Sequence, residues 1–166
     1  MGAVTGTDGD AASISALGGT LRGGAGRLAD HVHDLDAPAG RQVRRGGADP
    51  TARERDLLTR TATELDAVGG LLQTLTATTA ESTARLRALE PDLRRAGLVL
   101  EGSLVVEAPG PSRVEPDTRL RERARLQELL NRITSTRARE LARLRRELER
   151  STAALARISD RSRSGA

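Results

Sequence analysis

Apolar residues recur along most of this chain at intervals of three, four or seven, the spacing that places them on one face of a helix. Ile14, Leu17, Leu21, Leu28, Val32 and Leu35 make the first such row and predict a helix over 13–36. Its five glycines (Gly18, Gly19, Gly23, Gly24 and Gly26) each cost up to about 1 kcal/mol relative to Ala, so this helix depends on tertiary contacts. Gly19, Gly23 and Gly26 share a face, on which a neighbouring backbone is expected to come close. The segment Ala37-Pro38-Ala39-Gly40 predicts a stop, followed by a basic loop over 41–48.

Asp49-Pro50 reads as an N-cap followed by proline at the first helical position. Leu58, Thr61, Leu65, Val68, Leu72, Leu75, Thr79, Ser82, Leu86 and Leu89 then alternate spacings of three and four without a break, a heptad pattern. The phase runs through Gly69-Gly70, so one continuous helix of about 40 residues, roughly 60 Å, is expected. With a kink or a final turn at Pro91, the second helix spans 50–96 and stops at Gly97.

Leu98-Val99-Leu100 and Leu104-Val105-Val106 flank a Gly-containing turn and predict a β-hairpin over 98–107. Pro109, Pro111 and Pro116 keep the chain extended until a third helix over 117–158, whose rows are Leu126, Leu130, Ile133 and then Leu141, Leu144, Leu148, Leu155, Ile158. The eleven-residue step from Ile133 to Leu144 is a stutter. Residues 1–12 and 159–166 are expected to be disordered.

The second and third helices are of similar length and joined by a hairpin, so they should run antiparallel, with partner numbers summing to about 214. The expected fold is all-α: a single domain over 13–158, an elongated three-helix bundle or antiparallel coiled coil with the β-hairpin at the tip between helices two and three. Thr79 and Ser82 would meet Arg132, Thr134 and Ser135 in a polar layer. The first helix, roughly 35 Å long, reaches only to about Leu71. Residues 72–142 would then form a two-helix arm with uncovered apolar flanks. Leu72, Leu93, Leu120 and Leu129 are the candidate partner-binding residues on it, with Leu71 beside them.

Composition narrows the chemistry. The 166 residues include no Phe, Tyr, Trp or Cys and a single Met. The core must be aliphatic, which favours a thin helical assembly over a thick globule. Thiolate metal sites, disulfides and aromatic base-stacking platforms are excluded. All 27 basic residues are Arg. From Asp117 onward 14 Arg face 7 acids, a net of +7, whereas residues 1–116 carry 13 Arg and 16 acids, a net of −3.

Among candidate catalytic or metal-ligating groups only His31 and His33, with Asp30 and Asp34, stand out. Positions i and i+2 of a helix point about 200° apart, so the two imidazoles do not chelate one ion. No catalytic triad, phosphate-binding Gly loop or paired carboxylates emerges, so no enzyme, cofactor, metal or small-molecule substrate is expected. Neither a secretory signal nor a membrane span is read, which makes a cytoplasmic location the default.

Leu17-Gly18-Gly19-Thr20-Leu21-Arg22-Gly23-Gly24-Ala25-Gly26-Arg27-Leu28, followed by a long Ala/Thr/Leu helix, resembles the helical starts of actinobacterial ESAT-6-like, WXG100-class proteins. Ala96-Gly97-Leu98 leading into Glu101-Gly102 and a valine-rich strand is similar to the helix ends of larger relatives. The Trp-x-Gly turn and the Tyr-containing export motif of that class are absent. The resemblance implies helical hairpins that pair with related proteins and leave through a type VII system.

The functional expectation is a non-enzymatic interaction or scaffold protein that binds a protein partner, or itself, through coiled-coil surfaces. Alternatives are a type VII secretion substrate or partner, exported rather than cytoplasmic, and a nucleic-acid binder using the Arg-rich third helix. The last is weakened by the acids interleaved with those arginines, which point to a salt-bridged, solvated face.

Overall fold

The computed structural model describes residues 8–36 and 50–164. The expected stop at residues 37–40, the loop at 41–48, the cap at Asp49 and most of the N-terminal dozen lie outside them. The described chain is mostly helical: α1 (Asp8–Asp36), α2 (Pro50–Arg87), α3 (Glu90–Arg95), β1 (Leu98–Glu101), β2 (Leu104–Glu107) and α4 (Pro116–Ser164). It packs as two compact units, one of Met1–Thr76 with Leu144–Ala166, the other Ala77–Arg143. The long helices α2 and α4 contribute to both.

Several boundaries differ from expectation. α1 begins at Asp8, five residues before the expected start at residue 13, and α4 continues to Ser164 through a segment expected to be disordered. The second helix is two helices. Pro91 has no N–H to offer the carbonyl four residues back, so the chain tightens into a three-residue bond, Leu89 N–H to the Leu86 oxygen at 3.1 Å. It restarts at Glu90 with the proline in the first turn, where a missing N–H costs nothing. α3 ends on Gly97, whose φ of +68° is a left-handed stop that only glycine adopts without strain.

In the first unit, α1 and α2 cross at two glycines. A β-carbon placed on Gly18 would stand 2.9 Å from the Gly69 carbonyl oxygen, and one on Gly69 would stand 2.7 Å from the Gly18 oxygen. Arg22 reaches across to Asp66 (Nε to Oδ1, 2.9 Å) and Gln73 (3.1 Å to Oε1). Close approach thus uses Gly18. The expected Gly19 and Gly26 face open space, and Gly23 has only the end of its own helix's Arg27 nearby. α2 carries straight through Gly69-Gly70.

The densest packing lies in the second unit. Leu89, Leu93 and Ala96 project from the α3 turn, Leu98 and Val105 from the hairpin, and Leu126, Leu130 and Ile133 from α4, all into one cluster. Leu98, Val105, Leu126 and Leu130 are the most deeply enclosed. Each fully buried aliphatic of this size stabilises by about 1.5–3 kcal/mol.

Three hydroxyls of the expected polar layer bond within their own helices. Ser82 is buried, but its hydroxyl donates to the Thr78 carbonyl of its own helix at 2.7 Å. Thr134 and Ser135 likewise donate to Leu130 and Arg132 carbonyls of α4. A Ser or Thr in a helix finds the carbonyl one turn back more readily than a distant partner.

Candidate interaction groove

The hairpin turns on Gly102-Ser103, with Glu101 opposite Leu104 and Leu100 opposite Val105. Gly102 has φ +60° and Ser103 does not have positive φ, the pattern of a type II′ turn, whose twist suits a two-residue loop. In a two-stranded ladder alternate pairs direct N–H and C=O outward. Val105 is such a residue, and α4 satisfies both its groups. Its N–H donates to Gln127 Oε1 at 2.7 Å, and its carbonyl accepts from Arg123 Nε at 3.1 Å. Gln127 Nε2 also donates to the Ser103 carbonyl (3.0 Å) and to Asn131 Oδ1 (2.9 Å). Arg119 adds an ion pair to Glu107 at 3.3 Å. At Val105 the outer edge of β2 is therefore covered by side chains of one helix.

Above that seam lies a groove of about 470 Å³ lined by Ser103, Leu104, Leu120, Arg123, Ala124, Gln127 and Asn131. Leu104 is 59 % exposed and Leu120 64 % exposed, more than any other large aliphatic among the described residues. They come from different elements yet line one depression together with Ala124, two amides and a guanidinium. That arrangement can take an aliphatic side chain and hold polar atoms around it.

Of the four residues proposed from sequence, the structure brings only Leu120 to this groove. Leu93 is 5 % exposed inside the core, a correction that follows from the helix break: α3 is a separate helix that turns Leu93 inward together with its flanking Leu89 and Ala96. Leu129 is half-buried and packs against the same core. Leu72 lies in the other unit under Gly18, its Cβ 3.3 Å from where a β-carbon there would be, so α1 covers it. Leu104 was missed, although its place beside the turn, on the strand face opposite Val105, is a readable signal.

A second cavity, about 720 Å³, lies in the first unit between Glu64 of α2 and a stretch of α4 that includes Arg146, Arg150, Ala153, Ala154 and Arg157. Elsewhere on α4 arginines pair along the helix, Arg125 with Glu122 and with Asp92 of α3, Arg132 with Glu128, Arg143 with Glu140, and Arg145 with Glu149. The hydrogen bonds to Glu122 and then Asp92 hold the Arg125 guanidinium still more firmly protonated. Glu115 caps α4: its carboxylate accepts from the backbone N–H groups of Thr118 and Asp117 and from the Thr118 hydroxyl, which lowers its pKa. His31 and His33 are both exposed. Among the described residues no three His, Cys, Asp or Glu side chains converge, and no helix is long and apolar enough to cross a membrane.

Comparison with protein-family models, with curated proteins and with solved structures finds no match to this chain.

Proposed function

We propose that this chain is a non-enzymatic helical binding protein that takes an aliphatic side chain of a protein partner into the groove between β2 and α4. The observation that carries this reading is the pairing of Leu104 and Leu120, two largely exposed leucines from separate elements on one depression. Scattered single leucines on a surface need no explanation, whereas two that share a concave site with Gln127, Asn131 and Arg123 have the composition of a binding pocket. Its scaffold is an antiparallel helical bundle, a reading supported by the Gly18 and Gly69 crossing and by Glu64 lining one cavity with Arg146 and Arg150. The Arg-rich α4 serves as a salt-bridged face, consistent with the acids that many of its arginines already hold.

The chain has no cysteine, so a cysteine introduced at Leu120 or at Leu104 carries a photo-cross-linker at one position only. In extracts of the native source both positions are expected to trap the same partner, and a cross-linker at exposed Leu17 to trap none of it. Different adducts at 104 and 120, or equal trapping from position 17, overturn the reading.

A further inference from the structure

The groove beside β2 has a hydrogen-bond polarity, and the backbone of Val105 sets it. The Val105 N–H donates to Gln127 Oε1, so that amide turns its Nε2 the other way, where it donates to the Ser103 carbonyl and to Asn131 Oδ1. Asn131 is thereby left with its Nδ2, which carries two N–H donors. On the other side the Val105 carbonyl takes Arg123 Nε, which leaves the Nη1 and Nη2 edge of the guanidinium unused. Among the described residues neither Arg123 Nη nor Asn131 Nδ2 has a partner. Apart from the Ser103 hydroxyl, which both donates and accepts, the side-chain groups left over for an occupant are donors.

Charge points the same way. On this stretch of α4, Arg119 holds Glu107, Arg125 holds Glu122 and Asp92, and Arg132 holds Glu128. Arg123 holds no acid among the described residues, and no carboxylate lines the groove. Glu101, the ladder partner of Leu104, stands one strand, about 5 Å, farther from α4. A guanidinium tethered through Nε keeps its end-on pair of nitrogens for a carboxylate and has little rotamer freedom left to lose. Arg123 and Asn131 lie about 12 Å apart along the helix axis. Leu104 falls within that span, because Ser103 and Val105 on either side of it both bond to Gln127. An occupant therefore meets aliphatic surface and unused donors within a few residues of one another.

We infer that the partner segment taken by this groove is an acidic peptide: an Asp or Glu side chain stands within a few residues of the aliphatic one, its carboxylate on Arg123 and the aliphatic group between Leu104 and Leu120. This rests on the groove reading above and adds the chemistry that selects among aliphatic segments. A basic segment is rejected, because its charge meets Arg123 and its donors meet donors. A neutral segment leaves the guanidinium without its anion. The Asn131 donors take a second acid or a backbone carbonyl of the same segment.

The probe is a library of random short peptides displayed with both ends fused, so that Asp and Glu side chains are its only carboxylates, selected on the full chain. The strongest binder is then synthesised with capped ends and titrated by fluorescence anisotropy, beside a copy in which each acid is replaced by its amide. Selected peptides are expected to carry Asp or Glu close to Leu, Ile or Val. The amide copy should bind about tenfold more weakly, as for the loss of one hydrogen-bonded charge. Arg123→Gln sets an amide N–H where Nε was, so the Val105 carbonyl keeps a donor while the Nη pair is lost, and this variant should bind both copies alike. Asn131→Asp keeps an oxygen for Gln127 but replaces the free donors with negative charge, and should also weaken the acidic peptide. Circular dichroism verifies that helix content is kept in each variant. Aliphatic peptides selected without acids, or an acid preference that survives both substitutions, overturn the inference and leave the groove reading standing. Peptides that bind Leu120→Gln as tightly as the native chain, or a library that yields no binder, sink the groove reading and this inference with it.

Discussion

Gly18 and Gly69 meet backbone to backbone, each occupying the space that a β-carbon on the other would need, with the Arg22 side chain laid over the crossing. Gly19 and Gly70, their immediate neighbours, face open space. Helix propensity alone favours alanine over glycine at all four positions.

The glycines should therefore separate by sign. Gly69→Ala is expected to cost about 1–3 kcal/mol, because the forced helix shift outweighs the propensity gain. Gly19→Ala and Gly70→Ala should instead stabilise by about 0.5–1 kcal/mol. Urea unfolding of the three variants checks this, and a stabilised Gly69→Ala would show that the helices do not cross at that residue.

Burial sets a second contrast. Leu126 is fully enclosed by the hairpin core, whereas Leu141, on the same helix in the same unit, is half-buried. Leu126→Ala should cost about 3–5 kcal/mol through lost contacts and a cavity. Leu141→Ala should cost roughly 1–2 kcal/mol, in proportion to the smaller area it hides. Thermal or urea denaturation measures both.

Gln127 supplies the acceptor for the outward N–H of Val105. Gln127→Ala removes it, at about 1–1.5 kcal/mol for a hydrogen bond of this kind, so the Val105 amide should exchange with solvent deuterium about tenfold faster. Exchange at Val106, which points into the hairpin ladder, should change far less. Equal acceleration at both amides would mean that the whole hairpin opens.

The Glu115 cap predicts a pH dependence. Bonds from the Thr118 and Asp117 amides favour its charged form, so its pKa is lower in the folded chain than in the unfolded one. Its contribution is therefore complete above the ordinary carboxylate range, about 4.3, and fades as pH falls through the lower folded value. Melting of Glu115→Gln against the native chain from pH 7 to pH 3 should show a gap that closes at the acid end. A gap that widens there would exclude the capping role.

Much of the secondary structure was legible because helical periodicity and turn chemistry are local. The heptad of α2 ran visibly through Gly69-Gly70, and two valine-rich runs about a glycine marked the hairpin. What was not legible depends on how elements turn toward one another. Pro91 was compatible with a kink or a restart, and only the restart sends Leu93 inward. The shared face of Gly19, Gly23 and Gly26 pointed to the wrong glycines, since the face of α1 that meets α2 is set by packing and carries Gly18. The groove was half legible: Leu120 stood out as a leucine on the flank of its helix, and strand alternation put Leu104 on the face away from Val105, but that the two share one depression depends on how the hairpin lies along α4.

The clasp of Gln127 and Arg123 on Val105 also bears on how this protein avoids its own company. An unguarded strand edge is a template on which any passing chain can add another strand. Here one glutamine and one arginine occupy the outward N–H and carbonyl of Val105, so that stretch of β2 offers no free pair of groups to an incoming strand. Loss of either side chain would turn a two-stranded ornament into a seed, with aggregation during expression as its first visible symptom.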